Sequence, residues 1–143
     1  MIKKEEILKI IERYDKPKIK IATICSHSAL QIFHGARQEG FKTIGICKRE
    51  RKKAYEAFPI GRPDKFVMVD EFKEILREEN MEFLRKENAI VVPHGSFVEY
   101  VGPENLENRF SVPIFGNRNT LEWEGNRKKQ REWLEKSNLL LPK

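Results

Sequence analysis

Three segments of this sequence combine small, polar and ionisable residues in a way that suits anion binding. The first is the Ser26-His27-Ser28 turn, where two hydroxyls flank an imidazole. Hydroxyls and a partly cationic histidine donate hydrogen bonds to anions, and the start of a following helix favours negative charge by about 0.3–1 kcal/mol. A second interpretation is equally open, in which the serines only cap the helix and His27 packs against it.

A similar arrangement recurs at Pro93-His94-Gly95-Ser96. Pro93 fixes the direction in which the chain leaves the preceding apolar run. His94 and Ser96 supply polar groups, and Gly95 lets backbone amides approach a ligand without a Cβ in the way. The alternative is a tight turn before a helix, but a plain turn does not require His and Ser together. The combination therefore favours ligand binding.

The third segment, Phe115-Gly116-Asn117-Arg118, ends in an amide and a guanidinium. These groups can contact a nucleotide or a phosphate, because a guanidinium offers several donors in a planar fork. An ion pair between Arg118 and a surface carboxylate explains the same residues equally well. The sequence leaves both interpretations open.

The two cysteines, Cys25 and Cys47, stand at the ends of successive predicted strands. Cys25 lies close to His27, yet no residue nearby is identifiable as an orienting partner, so a nucleophilic role is disfavoured. There is no signal peptide and no apolar run of 18 or more residues. We therefore expect a cytoplasmic protein with two free thiols and no membrane association.

The chain is basic, with 28 Lys and Arg against 22 Asp and Glu and a net charge of +6. Acidic residues are interspersed almost everywhere, and the only dense basic run covers residues 48–53. Such runs are usually solvated loops, with phosphate or nucleotide contact as the alternative. The run contains no interleaved aromatic residues for base stacking, so we do not expect a nucleic-acid partner.

The predicted elements place these segments at strand ends. Continuous apolar runs indicate strands near residues 19–24, 43–47, 66–69, 89–92 and 112–115, with helical patterns between them. Such alternation is typical of a parallel sheet covered on both faces. We therefore predict an α/β fold, a three-layer parallel sheet with helices on both faces. Its ligand crevice should lie beyond the carboxyl ends of the strands, where the three segments fall.

Several finer features follow from local signals. Residues 48–64 contain turn formers and charge, and we expect a long loop with at most a helical turn around Tyr55. Asp70 is suited to be the N-cap of the next helix. A helical region should begin near Asn119, in a capping arrangement with Glu122, and run to about residue 137. Residues 139–143 should start a new extended segment.

The same residues resemble a known family. Residues 21–30, 35–41, 90–97 and 112–118 resemble the N-terminal domain of the archaeal 5-formaminoimidazole-4-carboxamide ribonucleotide synthetases. The resemblance spans essentially the whole chain and implies a Rossmann-like pre-ATP-grasp domain. The family belongs to the ATP-grasp ligases. It joins formate to 5-aminoimidazole-4-carboxamide ribonucleotide at the expense of ATP, with formyl phosphate as the implied intermediate, late in purine biosynthesis.

The resemblance also implies site residues. His27 and Ser96 correspond to residues that contact the aminoimidazole ribonucleotide, which agrees with the anion-site interpretation. With Ser26, Ser28 and Gly95 they form the predicted substrate-binding set, and no catalytic residue or metal ligand is identified. Cys25 stands where related sequences tend to have glycine, a difference that can alter how closely the backbone approaches the ligand.

The family continues beyond the Pro-Lys stretch into ATP-grasp domains that hold ATP and Mg²⁺, whereas this sequence stops at residues 141–143. We expect residues 1–143 to form one ribonucleotide-binding domain, with residues 138–143 beginning the ATP-grasp region. Neither cofactor should be held by this chain alone, and we expect no ligase activity without an ATP-grasp partner in cis or in trans. Apolar surface around Trp123 and Trp133 then predicts a homo-oligomer.

Three functions compete at this point. The chain is the substrate-binding domain of a ligase, a separate module that binds a purine intermediate, or a small basic protein that binds nucleic acid through residues 48–53. The family resemblance favours the first.

Overall fold

The protein is described by a computed structural model that covers residues 1–139, except the side chain of Glu124. Its central sheet contains the parallel strands β1 Lys20–Ile24, β2 Lys42–Lys48, β3 Lys65–Val69 and β4 Ala89–Val91. The strand order is β3-β2-β1-β4, so the direction in which the sheet is built reverses between β1 and β4. That boundary is the topological switch point, where α/β sheets bind ligands.

The strand register brings the ends of β1 and β4 together. Ala22 of β1 lies opposite Val91, the last residue of β4. One step further, the Val92 amide donates to the Ala22 carbonyl at 2.9 Å, and the Thr23 hydroxyl donates to the Val92 carbonyl at 2.8 Å. The chain therefore leaves both strands at the same edge of the sheet, and the turns that follow are neighbours.

Helices connect the strands and complete the carboxyl-terminal part. The α-helices are α1 Lys4–Glu12, α2 Ala29–Gln38, α3 Arg49–Glu56, α4 Glu78–Lys86, α5 Gly95–Tyr100, α6 Pro103–Asn108, α7 Leu121–Glu124 and α8 Arg127–Lys136. Short 3-10 helices cover Lys16–Lys18, Phe72–Leu76 and Arg118–Thr120. Among the described residues, no helix has the length and apolar character needed to cross a membrane.

Both faces of the sheet are buried, each under its own hydrophobic core. Successive residues of a strand contribute to the two cores in turn, because their side chains point to opposite sides of the sheet. Ala22 and Ile24 belong to a core with buried residues of α4, α5 and α6. Cys25 belongs to a second core on the other face, with Phe33 of α2 and Tyr55 of α3. This is the three-layer α/β arrangement predicted from the sequence, and the prediction of the fold class is confirmed.

The prediction of a long loop over residues 48–64 is wrong, because α3 occupies its first half. Arg, Lys, Glu and Ala all have favourable helix propensities, and Lys52 pairs with Glu56 one turn later at 3.3 Å. Tyr55 is the buried residue of α3, and its ring meets that of Phe33 edge-on at 6.3 Å. A helix with so narrow a buried face shows no clear apolar period in the sequence.

Two predicted caps are also wrong. The segment after β3 forms a 3-10 helix with Glu71 at its N-cap, while the Asp70 carboxylate lies 3.4 Å from Nε of Arg49. Asn119 does not cap a helix with its side chain; its backbone amide donates to the Asn117 side chain at 3.1 Å. Short polar side chains bond to whichever nearby amide the local turn presents, so the sequence identifies such a turn but not the residue that caps it.

The predicted helix from Asn119 to about residue 137 is divided. The first helix, α7, ends after four residues, and a second helix, α8, begins at Arg127. The Asn126 side chain caps α8 by accepting hydrogen bonds from the amides of Lys128 and Lys129, both at 3.1 Å. The predicted last strand, residues 112–115, is reduced to a single parallel bridge between Ile114 and Val91. The expected extended segment over residues 139–143 lies almost wholly outside the described residues.

Candidate functional site

The turn after β1 is tight and strained. The Ser26 amide donates to the Ile24 carbonyl at 2.8 Å, and the Ser26 carbonyl accepts from the Ala29 amide at 2.8 Å. His27 has a φ of 26°, in the left-handed region that costs a non-glycine residue roughly 1 kcal/mol or more. Ser26 is buried and His27 is exposed. Strain of this kind is concentrated at ligand sites, and here it presents an imidazole beside a buried hydroxyl.

The interpretation of the two serines as simple caps is wrong. Ser28 occupies the N-cap position of α2, but its side chain makes no cap hydrogen bond. The Ser26 hydroxyl instead lies 3.2 Å from the Ser96 hydroxyl and accepts a hydrogen bond from Nη1 of Arg51 at 2.9 Å. Ser26 therefore joins the end of β1 to α5 and α3.

The Ser26 and Ser96 hydroxyls form a pair whose protons can be counted. Both side chains are buried, with 4% and 7% of their surfaces exposed. Each hydroxyl has one proton and two lone pairs, and the bond between them uses one proton. The contact from Arg51 uses a lone pair of Ser26 and supplies its own proton. One hydroxyl proton thus remains available for an acceptor on a ligand, whichever serine carries it.

His94 holds the second turn against the end of β1 through both ring nitrogens. Its Nε2 faces the Ile24 carbonyl at 3.2 Å and its Nδ1 accepts from the Ser96 amide at 3.4 Å, so the proton is on Nε2. Burial lowers the pKa of His94, and the nearby His27 lowers it further. A neutral imidazole with both nitrogens occupied holds the start of α5 against the end of β1.

Arg51 is the residue that sequence analysis missed. It lies in the first turns of α3, and besides its contact with Ser26 its guanidinium stands over the ring of Phe72, 5.5 Å from the centroid. The solvated-loop interpretation of residues 48–53 does not hold for this residue. A signal was present, because the basic run directly follows β2, whose carboxyl end adjoins that of β1.

Asn117 and Arg118 are held in different contacts. The Arg118 guanidinium donates to three backbone carbonyls, those of Leu106, Phe110 and Val112, at 2.7, 2.5 and 2.9 Å. Burial lowers the pKa of this guanidinium, although an arginine stays charged at neutral pH. Arg118 therefore stabilises the segment after α6 through backbone carbonyls. The structural interpretation of the sequence had expected an ion pair with a surface carboxylate instead. Contact of Asn117 and Arg118 with a nucleotide stays a prediction.

A separate cleft of about 500 Å³ lies between α1 and the third segment, with Ile7, Leu8 and Ile114 among its lining residues. Its volume alone makes this cleft a candidate ligand site. Ligand sites, however, need a few convergent polar groups. Arg118 lines this cleft, but it already donates to three backbone carbonyls. The turns after β1 and β4, together with α3, instead group an imidazole, a hydroxyl pair and a guanidinium.

Cys25 is not placed to act as a nucleophile with His27. Cys25 and Cys47 are free thiols, both buried. Burial raises the pKa of Cys25, which donates to Cys47, and acceptance of that hydrogen bond lowers the pKa of Cys47. A buried thiol with a raised pKa is a poor nucleophile. Among residues 1–139, no group of three or more His, Cys, Asp or Glu side chains is placed to hold a metal ion.

A four-stranded parallel sheet with helices on both faces and polar side chains grouped at its switch point defines a doubly wound α/β domain. The sequence model of the family described as "Protein of unknown function (DUF1246)" matches residues 21–143. The chain belongs to this family.

Relatives with more specific names also match. A Korarchaeum cryptofilum protein named "5-formaminoimidazole-4-carboxamide-1-(beta)-D-ribofuranosyl 5'-monophosphate synthetase" is 54% identical over 143 residues, which are 100% of this chain and 39% of the relative. A Methanosarcina acetivorans protein of the same name is 51% identical over 142 residues, 99% of this chain and 39% of the relative. The resemblance found in the sequence is confirmed. The chain spans about two-fifths of the length of these relatives.

Solved structures agree. The IMP biosynthesis protein PurP from Thermococcus kodakaraensis matches with a TM-score of 0.68 and 40% identity, over 82% of this chain and 36% of that chain. A multifunctional pyruvate carboxylase from Rhizobium etli matches with a TM-score of 0.59 and 20% identity, over 87% of this chain and 13% of that chain. The second similarity concerns the fold alone.

Proposed function

We propose that this chain is the ribonucleotide-binding domain of an ATP- and formate-dependent ligase that formylates 5-aminoimidazole-4-carboxamide ribonucleotide in purine biosynthesis. The observation that carries the proposal is the Ser26–Ser96 hydroxyl contact of 3.2 Å, which joins the turns that follow β1 and β4. It occurs in a chain about half identical, along its whole length, to proteins named as synthetases of the formylated product.

The crevice offers donors that suit a ribonucleotide. His27 is exposed at the mouth, and Ser26 and Ser96 have one hydroxyl proton to donate. Ser28 adds a hydroxyl that makes no cap hydrogen bond, and a Cβ at Gly95 would meet no atom within 4 Å, so space remains for a ligand there. The ribonucleotide carries phosphate, ribose and carboxamide acceptors. These residues bind and orient it so that its amine can face an activated formyl group.

ATP and Mg²⁺ belong to the remainder of the ligase in this proposal. In phosphoryl transfer, Mg²⁺ neutralises the charge that develops on the phosphates. We assign both cofactors to an ATP-grasp domain in cis or in trans, because the relatives extend well beyond the 39% of their length that this chain covers. The homo-oligomeric state and the cytoplasmic location remain predictions.

Calorimetric titration with the ribonucleotide tests the site. We expect binding by the unmodified chain and a loss of about 10- to 100-fold in affinity for His27→Ala and for Ser96→Ala, the usual effect of removing a hydrogen bond to a charged ligand. His34→Ala, which removes an exposed histidine of α2, is the matched control and should leave the affinity unchanged. If both site variants bound the ribonucleotide as tightly as the unmodified chain does, the site would be rejected.

A product assay tests whether the chain binds the ribonucleotide but needs an ATP-grasp domain for catalysis. Purified chain with ATP, formate and the ribonucleotide should give no formylated product, because one wall of an active site lacks the groups that stabilise the transition state. Addition of an ATP-grasp portion from a longer relative is the complementary experiment. Product from the chain alone would contradict the proposal that the catalytic groups lie elsewhere.

A further inference from the structure

Arg51 differs from the cations beside it in what it contacts. Three neighbours in the basic run each pair with a carboxylate: Lys48 with Glu71 at 2.9 Å, Arg49 with Asp70 at 3.4 Å, and Lys52 with Glu56 at 3.3 Å. Arg51 instead contacts the Ser26 hydroxyl and the face of the Phe72 ring. Its charge is balanced by neither contact, although the side chain is half-buried. A held cation of this kind favours an anionic ligand.

The guanidinium of Arg51 is held in position before any ligand arrives. Phe72, on which it stacks, has only 2% of its surface exposed, and the Tyr100 ring packs against it with centroids 5.3 Å apart. The contact of Nη1 with Ser26 fixes the direction of the fork. Little side-chain entropy then remains to be lost on binding, which strengthens recognition by a long and otherwise flexible residue.

Three sources of hydrogen-bond donors meet around Ser26. Arg51 uses one N–H toward it and has further N–H groups in the same plane. The Ser26–Ser96 pair has one hydroxyl proton available. The ten-residue helix α2 begins at Ala29, three residues after Ser26, with its positive end toward the turn. A dianion with several oxygens fits such a set better than a single carbonyl.

We infer that Arg51, together with the Ser26–Ser96 hydroxyl pair, recognises the phosphate monoester of the ribonucleotide. The inference rests on the proposed function and adds to it one residue, Arg51, and the ligand group that it binds, the phosphate. The guanidinium binds two phosphate oxygens side by side, and the hydroxyl pair donates to one oxygen. His27, further out on the turn, is then left to contact the rest of the nucleotide.

The test compares the ribonucleotide with its dephosphorylated nucleoside. Both are titrated calorimetrically into the unmodified chain, Arg51→Ala and Arg51→Lys. We expect Arg51→Ala to weaken ribonucleotide binding by about 10- to 100-fold and nucleoside binding by less than about threefold. Arg51→Lys keeps the charge but loses the fork, so its effect should be intermediate. Arg49→Ala, an exposed cation two residues away, is the control and should change neither affinity.

The outcomes separate the two proposals. If the unmodified chain binds neither ligand, the proposed function fails. If it binds the ribonucleotide but Arg51→Ala weakens both ligands by the same factor, or weakens neither, the phosphate assignment is rejected and the proposed function stands. Thermal unfolding of each variant identifies a loss of folding; Arg51→Lys, which retains the stacking cation, then provides the comparison.

Discussion

The hydroxyl of Ser96 lies 3.2 Å from that of Ser26, although 70 residues separate them in the chain. The contact exists because β1 and β4 are neighbours in the sheet and both end at the same edge. His94 strengthens the link by bonding through Nε2 to the Ile24 carbonyl. Two turns that each resemble a helix start in the sequence thus form a single polar site.

Gly45→Ala should destabilise the protein. A Cβ at residue 45 would lie 2.7 Å from Sγ of Cys25 and 2.8 Å from Cγ of Pro63, and the proline ring has little freedom to move. Overpacking of this kind costs about 1–3 kcal/mol. Urea unfolding of the variant and of the unmodified chain measures this loss of stability.

Gly35→Ala in α2 provides the matched control for that experiment. A Cβ at residue 35 meets no atom within 4 Å, and alanine is favoured over glycine inside a helix by roughly 0.5–1 kcal/mol. The two substitutions should therefore change stability in opposite directions. Equal effects would show that the close packing around β2 is not as described.

Arg118→Ala should cost stability. Its three backbone acceptors, the carbonyls of Leu106, Phe110 and Val112, would lose a charged donor. Hydrogen bonds to charged groups contribute about 1.5–3 kcal/mol each, and partial access of water reduces the sum, so we expect a total loss of about 2–4 kcal/mol. Chemical denaturation measures the loss.

Arg109→Ala is the matched control, because within residues 1–139 this exposed guanidinium donates a single long hydrogen bond of 3.4 Å, to the Asn105 side chain. Its effect should stay within about 0.5 kcal/mol. If Arg118→Ala left stability unchanged but weakened ribonucleotide binding, Arg118 would be a ligand contact, as one interpretation of the sequence held.

Stability should fall on acidification in part through His94. Burial, the largest cause, lowers its pKa below the ordinary value of 6.5, so the unfolded chain takes up the proton first as the pH falls. The contribution of His94 is therefore fully present above about pH 6.5 and is lost as the pH falls through the lowered value. His94→Asn, which cannot titrate, should show a smaller decrease between pH 7.5 and 5.5.

Urea unfolding of both proteins at the two pH values measures this difference. Carboxylates titrate in both proteins, so the comparison isolates the histidine. A decrease as steep in His94→Asn as in the unmodified chain would show that His94 is not held neutral by its surroundings.

Much of the fold could be predicted from the sequence because β1 and β4 are continuous apolar runs that end abruptly in polar turns. Parallel strands buried on both faces require such runs. The proximity of Ser26 and Ser96 followed in outline, since the carboxyl ends of parallel strands share an edge. Their direct contact did not, because it depends on β1 and β4 being adjacent in the strand order.

Arg51 and α3 could not be predicted for a physical reason. A helix that buries only Tyr55 has too small an apolar face to produce a visible period among charged neighbours. The sequence of such a run gives no signal that distinguishes one Lys or Arg from the next. Only the three-dimensional structure separates Arg51, which reaches Ser26, from Lys52, which pairs with Glu56. Arg118 was similarly ambiguous, because backbone carbonyls leave no signal in a sequence.

The central claim is that the polar site between the turns after β1 and β4 binds the ribonucleotide. The most direct test is to titrate the ribonucleotide into the ¹⁵N-labelled chain and to monitor the backbone amides by two-dimensional NMR. We predict saturable shifts that are largest at the amides of Ser26, His27 and Ser96. The cleft beside α1 should show no comparable change. Shifts centred on that cleft, around Leu8 and Asn119, or the absence of any saturable shift, would contradict the account.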